Sequence, residues 1–154
     1  MTDSQMVRDL LHRLQAATPE ERDLAAAELG DLFEADYLKQ REFVKAIPLL
    51  MQAAFKELDP DAKESMFNAL SSAAMDDNAK LVTWEPIAEH IKELAPNCLE
   101  HALVILSFTG DRKYRPVIEP FLRHPNQDVQ RDAREALHLL DSWQTKRRTG
   151  TGTR

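Results

Sequence analysis

Glycine is scarce in this chain, with four among 154 residues and two of those, Gly150 and Gly152, in the last five. A loop that cradles phosphate needs closely spaced glycines so that backbone N–H groups can converge on the anion. Gly-rich nucleotide binding therefore has no support. Cysteine is scarcer still. The single Cys98 can form no internal disulfide and has no second thiol with which to grip a metal, which fits a reducing compartment and makes the cytoplasm the expectation. Aromatic residues make up 6% of the chain. No apolar run approaches the ~18 residues of a membrane helix, and no charged-then-apolar leader opens the sequence. Neither a membrane span nor a secretory leader is expected.

Proline, by contrast, is regularly placed. Pro19, Pro60, Pro96 and Pro125 each sit in a short polar turn between apolar stretches of helical period, and Pro48, Pro86 and Pro116 precede the last three by 9 to 12 residues. Proline is tolerated in the first turn of a helix and breaks its interior, so this spacing marks a helical-hairpin repeat. A chain of this length buries roughly two thirds of the surface its unfolded form exposes, enough for one domain.

Four helical pairs follow from the apolar periodicity. The first has helices at about 3–17 and 19–33, joined by Thr18-Pro19-Glu20-Glu21, which has the form of a capping box. The second follows a charged link at 34–42. It places Phe43, Ile47, Leu50 and Ala54 on a helix with Pro48 inside it, where a bend is expected, or at the start of a second segment, then Ala62, Met66, Ala69, Leu70 and Ala73 on a helix capped by Asp59 and ending near 76–78. The third begins at a Thr83 cap, with Ile87, Ile91 and Leu94, and turns at Pro96 into a broadly apolar helix holding Cys98, Leu99, Ala102, Leu103, Ile105 and Leu106. Gly110 suits the left-handed position that stops it. The fourth reads as the most regular: Tyr114, Val117, Ile118, Phe121 and Leu122 on one helix, a His124-Pro125-Asn126 turn, then Val129, Ala133, Ala136, Leu137 and Leu140.

These second helices superimpose in spacing. Val129, Ala133, Ala136 and Leu137 answer to Cys98, Ala102, Ile105 and Leu106, and to Ala62, Met66, Ala69 and Leu70. The stretch from Tyr114 to Leu140, with Asp128-Val129-Gln130-Arg131-Asp132-Ala133 after the turn, resembles a HEAT repeat. That family usually carries arginine directly after the valine; here Gln130 stands there and Arg131 follows. The resemblance is strong for the fourth pair, fair for the second and third, and weak for the first, as befits a terminal cap. It implies an all-α fold, an α-α superhelix or HEAT/armadillo-like solenoid of about four hairpins over residues 1–142; the polar, basic, Thr- and Gly-repetitive composition of 143–154 predicts a disordered tail there. The resemblance also implies a habit of binding other proteins.

The residues that other kinds of chemistry need are missing or wrongly spaced. His12, His90, His101, His124 and His138 are scattered, with no His-Glu-x-x-His pair and no Cys/His cluster of metal spacing. HEAT-like hydroxylases hold two irons through repeated His-Glu dipeptides; here Glu89-His90 and Glu100-His101 run in the reverse order. Cys98 occupies a position filled by Ala62 and Val129 in its neighbours, which makes it a core residue before a nucleophile. HEAT-like DNA glycosylases use a basic, aromatic surface. In this chain the last twelve residues hold Lys146, Arg147, Arg148 and Arg154 with no acid, leaving a net charge of −10 on the remainder against −6 for the whole. So acidic a body repels phosphate backbones and attracts a basic protein surface. Acidity alone also serves solubility.

In a HEAT-like stack the second helices line the concave side. The resemblance thus points to Glu21 and Glu28, to Glu64, Asn68 and Ser71, to Glu100 and His101, and to Arg131, Glu135 and His138 as the outward, partner-binding positions. The expected function is a non-enzymatic protein-binding module, monomeric when free, with no cofactor, metal, catalytic residue, nucleic-acid or membrane partner. Short acidic HEAT-like chains resemble bacterial immunity proteins, including those paired with contact-dependent inhibition toxins, which cover a basic, nuclease-type toxin domain. A general adaptor is the alternative, and a HEAT-like lyase or hydroxylase the reading from another class.

Overall fold

The computed structural model describes the backbone of residues 2–150 and side chains as far as Trp143. Every regular element among the described residues is helical. The helices gather into two compact units that divide between Thr83 and Trp84. No described helix is long and apolar enough to cross a membrane.

The first unit consists of α1 (Asp3–Arg13), α2 (Pro19–Glu34), α3 (Gln40–Lys56) and α4 (Pro60–Ala74), followed by a 3₁₀ turn at Asp77–Leu81. Its start signals are those the sequence carries. The Thr18 hydroxyl accepts from Glu21 N at 3.3 Å and Asp59 from Ala62 N at 3.0 Å, with Pro19 and Pro60 at the first helical positions, where no donor is missed. The full reciprocal box lies elsewhere, at Thr2 and Gln5 of α1. α1 stops at Arg13 instead of about 17, because Gln15 and Ala16 N–H turn back to His12 and Arg13 carbonyls, and Arg22 Nη1 holds the Ala16 carbonyl at 2.8 Å. α3 runs unbroken through the exposed Pro48.

α2 lies along α4 in the most extensive packing of the unit, and α1 and α3 cover them. Small residues make that approach close. A Cβ added at Gly30 would meet Ala69 at 3.5 Å, an ordinary van der Waals distance, and Ala25, Ala26, Ala62, Ala69 and Ala73 are all fully buried. Larger side chains fill the flanks: Phe33 against Phe43 and Phe55 against Phe67, each pair edge-to-face at about 5.5 Å. The start of α2 is pinned to the end of α3 by a bidentate ion pair. Arg22 Nε and Nη2 reach Glu57 at 2.7 and 3.0 Å, Glu57 also accepts from Asp59 N at 3.0 Å, and the Glu57 side chain is only 4% exposed. Burial acts to raise the Glu57 carboxyl. The guanidinium and the Asp59 and Leu58 backbone N–H groups outweigh it and hold the group below its ordinary value.

The second unit has α5 (Glu85–His90), a 3₁₀ turn at Ile91–Glu93, α6 (Pro96–Phe108), a broken segment, and α8 (Gln127–Gly150), with α6 packed along α8. Trp84, without a side-chain cap bond, stands at the N-cap of α5 where Thr83 was expected. Gly110 adopts φ 65, as its place after α6 requires. The fourth pair, expected to be the most regular, has the most interrupted first helix. It comprises a 3₁₀ turn at Arg112–Tyr114, the one-turn α7 (Arg115–Ile118) and a second 3₁₀ turn at Glu119–Arg123. Pro116 and Pro120, four residues apart, both lack an N–H, and the Pro120 ring crowds the Pro116 carbonyl; two such losses in one short segment favour 3₁₀ turns, whereas the longer α3 absorbs the single Pro48. Tyr114, Ile118 and Phe121 are buried as expected, whereas Val117 is half-buried and Leu122 exposed.

The turn into α8 is wired by side chains. His124 Nδ1 accepts from Asn126 N at 3.0 Å, and Asn126 Oδ1 accepts from Asp128 N at 2.8 Å. Gln130 Nε2 donates to the His124 carbonyl at 2.6 Å, so the residue that departs from the HEAT pattern closes the turn. Cys98, Ala102, Ile105 and Leu106 on α6, and Val129, Ala133, Ala136, Leu137 and Leu140 on α8, are buried as their periodicity requires. α8 runs past the expected end near 142 to Gly150, and the rest of the expected tail, 151–154, lies outside the described residues.

Leu106→Ala, at a fully buried site, is expected to cost about 2–5 kcal/mol in chemical denaturation. Gly30→Ala should be neutral or stabilising by up to about 1 kcal/mol, since glycine is a poor helix residue and the methyl fits. Gly30→Leu should cost about 1–3 kcal/mol by forcing α2 and α4 apart. For Glu57, a depressed carboxyl contributes stability above its ordinary value that is lost as pH falls through the folded-state value. Glu57→Gln should therefore lower the midpoint at pH 7 and flatten the loss of stability on acidification below about pH 4.5, read from denaturant midpoints across pH.

Candidate functional site

The ten outward positions divide between the two units. In the first, Glu21 is exposed in the opening turn of α2, while Glu28 is half-buried and paired with Arg13 at 3.4 Å. On α4, Glu64 is half-buried and Asn68 exposed. Ser71, expected to face outward, is 6% exposed, and its hydroxyl donates to the Asn68 carbonyl at 2.8 Å. The reason is helical phase: Phe67, Ser71 and Ala74 form one stripe at i, i+4 and i+7, and all three are buried. Phe67, fully buried, is the residue the narrower apolar pattern omitted.

Asn68 and Ser71 open onto a cleft of about 500 Å³ at the C-terminal ends of α2 and α4, lined also by Phe33, Ser72 and Met75 and by four acids, Glu34, Asp36, Asp76 and Asp77. Two features concentrate negative charge there. The helix ends carry the negative pole of their dipoles, and no basic residue occurs in the last turn of either helix. The carboxylates also crowd one another. Burial is the largest cause raising the Asp76 carboxyl; the Asn78 N–H opposes it, and the hydrogen bond and charge of Asp36, with the charge of Asp77, add to the rise. Asp36 sits in this cluster at φ 53, the one left-handed non-glycine residue among those described. Sequence reasoning passed over all four acids. Glu34 and Asp36 stood in a charged link and Asp76-Asp77 at a helix end, some forty residues apart, with nothing in their spacing to join them.

In the second unit Glu100 is exposed and His101 half-buried on α6, and Arg131, Glu135 and His138 are exposed on α8. The structure brings Glu100 and Glu135 within electrostatic reach of Asp132. That carboxyl is raised chiefly by burial, then by the charge of Glu100, with Arg131 opposing and Glu135 and Asp128 reinforcing. Arg131 is engaged by Asp128 at 3.4 Å and by Asp132 at 3.8 Å, so its charge is offset locally and the face stays acidic. Cys98 is buried, and its N–H donates to Asn97 Oδ1 at 3.0 Å. Among the described residues no three His, Cys, Asp or Glu side chains are grouped as a metal site.

No protein family and no curated protein matches the chain. Among solved structures it is similar to a crystal structure of an engineered protein, a Northeast Structural Genomics Consortium target. The TM-score is 0.68 at 16% identity, over 91% of this chain and 63% of that one. A likeness at that identity concerns the fold alone: a helical architecture shared with an engineered chain of which this one spans less than two thirds.

Proposed function

We propose that this chain is a non-enzymatic, HEAT-like protein-binding module whose acidic surfaces receive a basic protein, in the role of an immunity protein that covers a basic toxin domain. The observation that carries this reading is the acidic cleft of the first unit, where Glu34, Asp36, Asp76 and Asp77 converge at two helix C-termini. Carboxylates so placed repel one another and the helix dipoles. A Lys or Arg side chain entering from a partner relieves that repulsion and gains charge-assisted hydrogen bonds. Met75, exposed at the rim, offers the stem of such a side chain an adaptable apolar contact. The Glu100, Asp132 and Glu135 face of the second unit has the same sign and suits the same class of partner.

Such a site trades stability for recognition. Asp36→Asn keeps a residue that tolerates the left-handed backbone while removing one of the repelling charges. It should therefore raise the melting temperature of the free protein and weaken its complex. The decisive measurement is surface plasmon resonance with the product of the gene adjacent to this one, which the reading requires to be basic. The on-rate should fall steeply between low salt and about 0.5 M while the off-rate changes less. Asp36→Asn with Asp77→Asn should slow association further. Because Asp76 takes up its proton above the ordinary value of 3.8, affinity should begin to fall at a higher pH than an unperturbed aspartate would dictate. Absence of binding, or binding indifferent to the charge variants, would remove the reading.

A further inference from the structure

The first unit carries a second concavity of opposite sign. It has a volume of about 600 Å³ and runs between α1, the start of α2 and the second half of α3. Arg8, Leu11, His12, Leu49, Lys56 and Leu58 are prominent in its walls. Its apolar content is displayed to solvent: Leu49 is 49% exposed and Leu58 93% exposed. A smaller cleft of about 230 Å³ adjoins it, shares Arg8 and Leu11, and adds Arg41 and Lys45. The acids lining these two clefts are Glu57 and Glu42. Glu57 is already matched by Arg22, so Arg8, Lys45, Arg41 and Lys56 leave the surface positive although the chain as a whole is at −6.

The groove is also held in shape. The ion pair between Arg22 and Glu57 and the Asp59 N–H bond fix the turn that carries Leu58, so an almost fully exposed leucine stands on a stiff edge. A large apolar side chain there gains nothing for folding. A rigid apolar anchor ringed by cations is what an incoming amphipathic segment with carboxylates flanking its apolar face requires. Such a partner would lay leucine-like side chains against Leu11, Leu49 and Leu58 and pair its acids with Arg8 and Lys56. A nucleic acid fits less well, because it offers neither a use for the leucines nor an opening past Glu42 and Glu57.

We infer that this groove on α1 and α3 is a docking site for an acidic amphipathic helix of another protein, separate in place and in charge from the acidic cleft. The inference does not rest on the reading given above for that cleft. It is tested by titrating the ¹⁵N-labelled protein with a synthetic fourteen-residue peptide of two Glu-Glu-Leu-Leu-Glu-Ala-Leu repeats. A matching peptide with lysine for glutamate and a twelve-base single-stranded DNA serve as competitors of other chemistry. The expected result is saturable amide shifts confined to about residues 8–16 and 49–58 with the acidic peptide. Affinity should be at least tenfold weaker in Arg8→Glu with Lys56→Glu and in Leu49→Asp, whose unchanged melting curves would show intact folding. Tighter binding of the lysine peptide or of the DNA, shifts elsewhere, or indifference to all three substitutions would overturn it. So would a concentration-dependent dimer in sedimentation that Leu49→Asp dissolves, which would make a second copy the occupant.

Discussion

Everything in this molecule depends on the close approach of the second helix of one hairpin to the second helix of the next. Within the first unit α2 and α4 touch along Gly30, Ala69 and a row of fully buried alanines. Within the second, α6 packs along α8, and Ala102, Ala133 and Ala136 on the two helices are buried. Small side chains keep two backbones close enough for the larger residues beside them to interlock, and each hairpin buries an apolar face it could not bury alone. The first helices are free to vary because they cover this pairing and do not form it. That freedom accounts for an α7 segment that survives two prolines as one α turn between 3₁₀ turns, beside an α3 that runs straight through Pro48.

The polar groups follow from the same constraint. Packing α2 on α4 leaves their C-terminal ends side by side, and Glu34, Asp36, Asp76 and Asp77 line the one cleft there. At the opposite end of α2 the crossing brings Arg22 to Glu57 with two hydrogen bonds and takes the carboxylate almost wholly out of solvent. A buried carboxylate is tolerable only with such a partner. The pair in turn stiffens the turn holding Leu58. One unit thus presents an acidic cleft and a basic, leucine-edged groove, a polarity that a net charge of −6 conceals.

Much of this architecture was legible in the residues. Prolines at the first helical position, Thr18 and Asp59 as caps, Gly110 at a left-handed stop and the apolar i, i+4, i+7, i+8 spacing shared by Ala62, Cys98 and Val129 onward act locally or within two helix turns, so pattern is enough to find them. The misjudged positions share a cause. Ser71 was placed outward because it is polar, yet the stripe through Phe67 and Ala74 carries it inward, and its hydroxyl is satisfied by its own helix. The first helix of the fourth pair reads as amphipathic by period, but period does not register that Pro120 opposes the carbonyl of Pro116. Gln130 looks like a departure from a repeat pattern until its bond to the His124 carbonyl is seen.

The sequence by itself determined that the chain is helical, where most of its turns fall, most of the core of α4, α6 and α8, and that its charge is acidic. These are properties of neighbours along the chain, set by backbone sterics and the 3.6-residue period. Tertiary structure alone decided that the helices gather as two units, that Arg22 meets Glu57 across 35 residues, and that Asp36 meets Asp76. It alone set Arg8 and Lys56 in the walls of one groove. Those encounters depend on how helices lie against one another. A charge has no period to announce it, and it takes its partner from whatever the packing of apolar faces brings within reach.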